Sequence, residues 1–296
     1  MAQRRLGMMR NATALAGQRI DSFLTRLHRT LSKTAGAEAI LYTLCFTLIF
    51  VHARLRHTLN RQYDRLAFAV ATNAPSPLLP GDTMLAIIEQ PYTHPSELSA
   101  GVKAAAGLVE DFLVFSRLRG LISIYSWARE HYMTPPGDAI LKLLVWAQLA
   151  ASTTFQFLEN ALYLASKGVL RGKAWEERQP RWWVWSNRFW LVHVLLEGLR
   201  LLRVRQLRYN EDFGAKVLPP GSQQFDSDST GVVAQSEELK RKWQRDFYAN
   251  AGWFPLTLHW SFYDENNSPL NDTWVGLCGL VPGVIALREA WEEAKQ

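Results

Sequence analysis

Cysteine is nearly absent from this 296-residue chain, and its two residues, Cys45 and Cys278, exclude a disulfide framework and a four-thiolate zinc site. Both lie in apolar runs, where a buried neutral thiol is expected, and such usage points to a reducing compartment. Charge is sparse too, at 20% of residues against a usual share of about 25%. Yet a mean hydropathy of -0.11 is far too low for a polytopic transporter. Gly 18 and Pro 13 are near average usage, which excludes a collagenous or wholly disordered chain. Catalytic motifs are missing as well. There is no His-Glu-x-x-His, Gly-x-Ser-x-Gly, phosphate loop or dinucleotide fingerprint, and the histidines are dispersed without a metal-ligand spacing. We therefore expect no enzyme, no cofactor and no metal. Glu110 with Asp111 could be argued as an acid/base pair, but adjacent residues point to different sides of a helix, so an exposed polar stripe is expected. Glu159 and Asn160, set in an apolar helix, are expected to hydrogen-bond between helices, with no partner identifiable.

Strand-like alternation is not sustained anywhere, whereas apolar residues recur at three and four over long windows, so the chain reads as all-α. Gly, Pro, Asn and Ser boundaries predict helices over 21–31, 35–71, 101–131, 138–170, 187–209, 236–249 and 273–293. The Pro-rich stretches 73–99 and 210–235 read as loops. The expected organisation is a basic amphipathic arm over 1–30, a helical membrane-associated domain over 31–209, a flexible linker over 210–235 and a C-terminal helical, apolar, membrane-associated segment over 236–296. Arg4, Arg5, Arg10 and Arg19 precede any acid, and no apolar run of secretory-signal length follows. In charge this arm resembles a mitochondrial presequence. The terminal Ala-Lys-Gln is not a Ser-Lys-Leu-type peroxisomal address.

Three uncharged stretches, 39–53, 143–158 and 273–287, approach membrane length, though each falls short of the roughly 20 apolar residues that cross a bilayer unaided. Snorkelling flanks or local thinning would fit them to a membrane, and buried or interfacial helices are the competing reading. The fold class expected is thus a membrane-associated helical bundle with amphipathic helices and one to three short apolar helices open to membrane embedding. At about 100° per residue, Leu55, Leu59, Tyr63, Leu66 and Val70 share one side of a helix, and Arg54, Arg61 and Arg65 the opposite side. Such a helix lies in a membrane interface with its ridge below the headgroups and its arginines on lipid phosphates. An ordinary surface helix packed on a protein core is the alternative. A second stripe, Ile20, Phe23, Leu24, Leu27 and Leu31, opposes Arg19, Arg26, Arg29 and Lys33. Next, the run 181–190 sets Trp182, Trp183 and Trp185 among arginines, rings suited to headgroup depth beside cations suited to phosphate. An aromatic core cluster with cation–π contacts competes there. Arg200, Arg203, Arg205 and Arg208 follow. Gly279 and Gly283, four apart, would let two apolar helices approach closely, and Pro282 is expected to kink its helix. Because the cations are interleaved with Trp and Leu, the net charge of +6 favours anionic membrane lipids as partner, and no nucleic acid.

The stretch Gln156-Phe157-Leu158-Glu159-Asn160-Ala161-Leu162-Tyr163 resembles the middle of the peroxisomal biogenesis factor 11 family, particularly its fungal C-type branch. The likeness continues through Trp185-Ser186-Asn187-Arg188, Pro255-Leu256-Thr257-Leu258-His259-Trp260-Ser261 and Val275-Gly276-Leu277 to Ala286-Leu287-Arg288-Glu289-Ala290-Trp291, with Leu31-Ser32-Lys33-Thr34-Ala35-Gly36 upstream. The resemblance implies a protein of the peroxisomal membrane that promotes membrane elongation, proliferation and division of the organelle. It implies insertion of an amphipathic helix, matched here by 54–70, with self-association into a homo-oligomer. A dynamin-related GTPase and its tail-anchored adaptor are the implied division partners. A peroxisomal metabolite pore or transporter and a mitochondrial membrane protein are the alternatives.

Overall fold

The computed structural model describes residues 2–72, 94–217, 229–264 and 267–295, with side chains over 17–72, 94–209, 237–264 and 267–295. Its elements are α1 (Ala2–Ser32), α2 (Thr34–Thr72), α3 (His94–Ser116), a single 3-10 turn (Arg117–Arg119), α4 (Gly120–Met133), α5 (Ala139–Ser166), α6 (Lys173–Val217), α7 (Ser229–His259) and α8 (Asp272–Glu293). Among the described residues there is no strand. The chain is all-α, as its apolar spacing implies, and two of its helices, α2 and α8, are long and apolar enough to cross a membrane.

Several boundaries differ from the sequence reading, each for a physical reason. The helix expected over 101–131 is broken by the turn at Arg117–Arg119, where the chain swings the Arg117 side chain towards α2 and α5. At Gly120 α4 begins so close to α5 that a Cβ there would overlap the Gln156 amide. The helix expected from 187 begins at Lys173 and runs through Pro180, and the one expected over 236–249 runs from Ser229 to His259 through Pro255. A proline inside a helix costs a hydrogen bond, yet packing against neighbouring helices holds these segments helical. For the same reason α8 is continuous through Pro282, whose buried ring packs against Gly252 of α7. Most of the loop expected over 73–99, at 73–93, lies outside the described residues; α3 already begins at His94. The middle of the expected 210–235 linker, 218–228, also lies outside them. Helix starts follow the usual chemistry: Asp138 accepts from the Leu141 backbone N–H at 2.9 Å, and Asn271 accepts from that of Trp274 at 3.1 Å.

Helix α8 lies antiparallel along α2, α3 covers another side of α2, and α7 bridges α8 to the α5–α6 pair. Where α2 and α8 cross, α8 presents Gly276, Gly279 and Gly283. A Cβ at Gly276 would sit 2.7 Å from Cβ of Phe50, one at Gly279 would overlap the Phe46 ring, and one at Gly283 would sit 3.1 Å from Thr43 Oγ1. Glycine at these positions lets the helices approach to the distance at which the Phe46 ring rests on backbone. Phe46, Leu256 and Val275 form the buried core, with Tyr42, Ile49, Trp253 and Trp260 packed against it. Trp190 joins α6 to this core, stacked on Trp260 at 5.8 Å and tilted against Trp253 at 5.1 Å.

This packing makes a prediction. Gly279→Leu forces the Phe46 ring out of place and should destabilise the full chain in detergent by roughly 1–3 kcal/mol, the usual cost of overpacking. Gly101→Leu, at a position with open space around its Cβ, should not. Thermal unfolding of the two variants checks it.

Candidate membrane-contacting surface and its polar cleft

The amphipathic segment expected on 54–70 is the second half of α2, continuous with its apolar first half. Leu55, Leu59 and Tyr63 are half-buried, and Leu59 and Tyr63 lean towards the first turns of α3 beside Ser96 and Ala100. Beyond them the ridge leaves the body: Leu66 is 48% and Val70 43% exposed, and Phe68, which lies off the ridge, is 73% exposed. Arg54, Arg61 and Arg65 are exposed as well. The ridge is therefore not sealed inside a core, though its first half is partly covered. Helix α1 presents a second open stripe, with Ile20, Phe23, Leu24 and Leu31 exposed. Its end is tied down by Arg26, whose guanidinium donates to the Trp291 carbonyl and lies 4.5 Å over the indole, and by Lys33, 3.2 Å from Glu293.

The α2–α8 pair carries polar groups at both ends. Lys33 meets Glu293 at one end, and Arg56 lies 3.7 Å from Asp272 at the other. The residues between them rise roughly 35 Å at 1.5 Å each, against a hydrocarbon thickness of about 30 Å. The uncharged part, between Glu38 and Arg54, rises roughly 24 Å, somewhat less than that thickness. Leu44, Val51, Trp274, Leu277, Val281 and Val284 face outward along the pair.

Of the aromatic run, Trp183 and Trp185 are about half exposed, while Trp182 packs edge-on against Trp175 at 5.5 Å. Arg188 lies 5.2 Å from the Trp185 ring and 5.0 Å from that of Tyr263. Two rings of this run are thus open, and the others are engaged inside the protein. The arginines after it do not form a free basic face. Arg200 pairs with Glu197, Arg203 with Asp138 at 2.7 Å, Arg205 covers Trp243, and Arg208 donates to the Leu239 carbonyl. Arg203 holds the Asp138 carboxyl below its ordinary range, with help from the Leu141 backbone N–H.

A polar centre that the sequence did not disclose lies between α2, α3, α5 and α6. Glu159, almost fully buried, pairs with Arg117 at 3.0 Å, and Arg117 also donates to the Tyr42 hydroxyl at 3.2 Å. Asn160 donates to the Leu118 carbonyl and accepts from Gln156 at 2.7 Å. The expected interhelical role of Glu159 and Asn160 thus has its partners, both from the 3-10 turn. An arginine among Leu113, Val114, Phe115 and Leu118 was the available signal, since a charge inside an apolar helix needs a buried partner. Desolvation pushes the Glu159 carboxyl up despite the opposing pull of Arg117. Glu110 and Asp111 do not form a plain solvated stripe either. Both line an open cleft of about 510 Å³ between α3, α5 and the start of α6. Behind it a chamber of about 90 Å³ is walled by Tyr42, Arg117, Trp190, Trp253 and Trp260. Among the described residues no group of histidine, cysteine and acidic side chains could hold a metal ion.

The model of the family described as peroxisomal biogenesis factor 11 matches residues 115–291, more than half of the chain, from the Arg117 turn to the end of α8. An uncharacterized protein of Schizosaccharomyces pombe is 24% identical over 141 residues, which cover 47% of this chain and 55% of that protein. The chain thus spans little more than half the length of that relative. No solved structure matches.

Removing one member of the buried pair should cost more than removing both. Arg117→Met leaves the Glu159 carboxylate buried without a counter-ion and should destabilise the chain by about 3–5 kcal/mol. Adding Glu159→Leu should recover most of that loss, which thermal unfolding of single and double variants in detergent would read.

Proposed function

The chain belongs to the peroxisomal biogenesis factor 11 family, and from this premise we propose that it elongates peroxisomal membranes ahead of division by wedging amphipathic helices into one leaflet. Family membership makes it a biogenesis factor associated with peroxisomes, in a family of structural proteins with no enzymatic reaction attached. The observation that carries the mechanism is the open second half of α2, where Leu66 and Val70 stand exposed opposite Arg61 and Arg65. That segment precedes the matched residues, so its role rests on its own physics.

An apolar ridge flanked by guanidinium groups gains from burying its side chains below the headgroups and from attraction to anionic lipid, about 1 kcal/mol per cation near the surface. Area added to one leaflet and not to the other favours positive curvature. Helices α2 and α8, apolar between polar ends, would anchor the ridge in the bilayer. Trp183 and Trp185 would then sit at headgroup depth. Many copies are needed to bend a membrane, so self-association is part of the proposal. Its most regular open seam is Trp185, Val192, Leu195, Leu199 and Leu202 on α6, exposed at the alternating three and four spacing of a coiled-coil stripe. A dynamin-related GTPase and its tail-anchored adaptor would act on the narrowed tubule.

The test uses the full chain. Reconstituted with anionic vesicles it should tubulate them, and overproduced in cells it should elongate peroxisomes. Leu66→Glu with Val70→Glu, both exposed, should lower tubulation by roughly tenfold or more, since each removes an inserted apolar side chain worth about 1.5–3 kcal/mol. Undiminished tubulation by that variant, or solute leakage without shape change, would overturn the reading in favour of a pore.

A further inference from the structure

The cleft between α3, α5 and α6 holds three carboxylates but cations for only two of them. Asp111 is ion-paired with Lys167, and Glu159 with Arg117. Glu110, facing the same space from α3, accepts no hydrogen bond and forms no ion pair among the described residues. Its side chain remains accessible because the cleft is open, yet the walls desolvate it. That desolvation pushes its carboxyl above the ordinary range, Arg117 pulls it down, and the Asp111 charge pushes it up again.

The walls are chiefly apolar and aromatic, with Val114, Leu162, Tyr163 and Trp183 beside Glu110. Lys167 already lies 5.3 Å over the Tyr163 ring, so this wall accepts a cation. An unmatched carboxylate framed by aromatic faces and methyl groups selects a cation that carries its own apolar surface, which is the character of an alkylammonium group and not of a metal ion.

The height of the cleft points to where such a group would come from. His52 meets Ser99 and Cys45 meets Ala106 across the α2–α3 pair, an antiparallel register that puts Glu110 level with residue 41 of α2. That is within roughly 5 Å, along the helix, of Glu38, the polar end of the apolar stretch. Glu38 is itself paired with Arg119 at 2.7 Å. Trp183, half exposed, stands in the same wall.

We propose that this cleft binds the ammonium group of a phospholipid headgroup, with Glu110 as its counter-ion and Trp183 as its aromatic wall. Gln179, which lines the same space, offers an amide donor to the phosphate that follows the ammonium. The source of the ammonium rests on the membrane reading above; the site itself rests on the unmatched charge. The cleft would prefer ethanolamine or choline lipids, whereas the arginines of α2 attract anionic ones, so one molecule would read two headgroup chemistries at two places.

The full chain in detergent micelles, offered equal amounts of phosphatidylethanolamine, phosphatidylcholine and phosphatidylglycerol, should retain the first two preferentially in native mass spectrometry. Glu110→Gln should reduce that preference about tenfold, the loss of one charge-assisted contact, while Glu110→Asp keeps part of it and Lys103→Gln all of it. Circular dichroism would establish that each variant is folded. Failure to retain either zwitterionic lipid, or their unchanged retention by folded Glu110→Gln, overturns the site. Displacement of the lipid by free ethanolamine or choline at comparable concentration overturns the lipid source. Because the readout needs neither vesicles nor tubulation, it can fail while membrane shaping stands, and the reverse.

Discussion

The close approach of α2 and α8 sets the rest of the architecture. With glycine at 276, 279 and 283, α8 offers α2 a face of backbone, and Phe46 fills it where any side chain would collide. Such contact gains dispersion energy and gives up little side-chain entropy, which is how helices associate where no water is expelled. Its direction matters as much as its closeness. Antiparallel pairing brings Lys33 to Glu293 at one end and Arg56 to Asp272 at the other, so one register fixes both polar boundaries. Helix α7 then locks α8 through Gly252 against Pro282, and the Trp190, Trp253 and Trp260 rings tie α6 to the same core.

Periodicity disclosed the helices whose cause is local. Residues 35–71 and 273–293 were legible within a residue or so, because apolar spacing and the Asn271 cap suffice to define them. What was not legible depends on neighbours. Pro180, Pro255 and Pro282 sit inside helices that tertiary packing sustains, and the break at Arg117 exists because a guanidinium there reaches Glu159, forty-odd positions along the chain. The candidate surface divides in the same way. Leu66, Val70 and their arginines were readable from spacing alone. Leu59 and Tyr63 lean on α3, and the arginines after the aromatic run are occupied by Glu197, Asp138, Trp243 and a backbone carbonyl, none of which a helical wheel contains. Glu110 could be argued from sequence only as half of an acid/base pair; its significance comes from which cations its neighbours have already taken.

Charge on this protein is therefore organised by depth and by partner. Arg54, Arg61 and Arg65 on the second half of α2 are exposed and make no ion pair among the described residues. Elsewhere, ion pairs join elements, Arg117 of the turn to α5, Arg119 to α2 and Arg203 of α6 to the cap of α5, while Arg200 pairs with Glu197 within α6. These pairs contribute modestly to stability, since desolvation offsets most of their attraction. Their larger effect is on register, because an ion pair between two helices tolerates only one relative position.

One property of α2 has a mechanical side. Its 39 residues form an unbroken rod about 58 Å long, so the buried half and the ridge-bearing half cannot choose their orientations separately. Whatever angle the greasy portion adopts against the bilayer normal is handed to the far end as a lever arm. On the proposed insertion, pressing that arm flat onto a leaflet would either lean the anchored portion or flex the rod where it leaves α8, and in both cases torque would reach the lipid around the anchor.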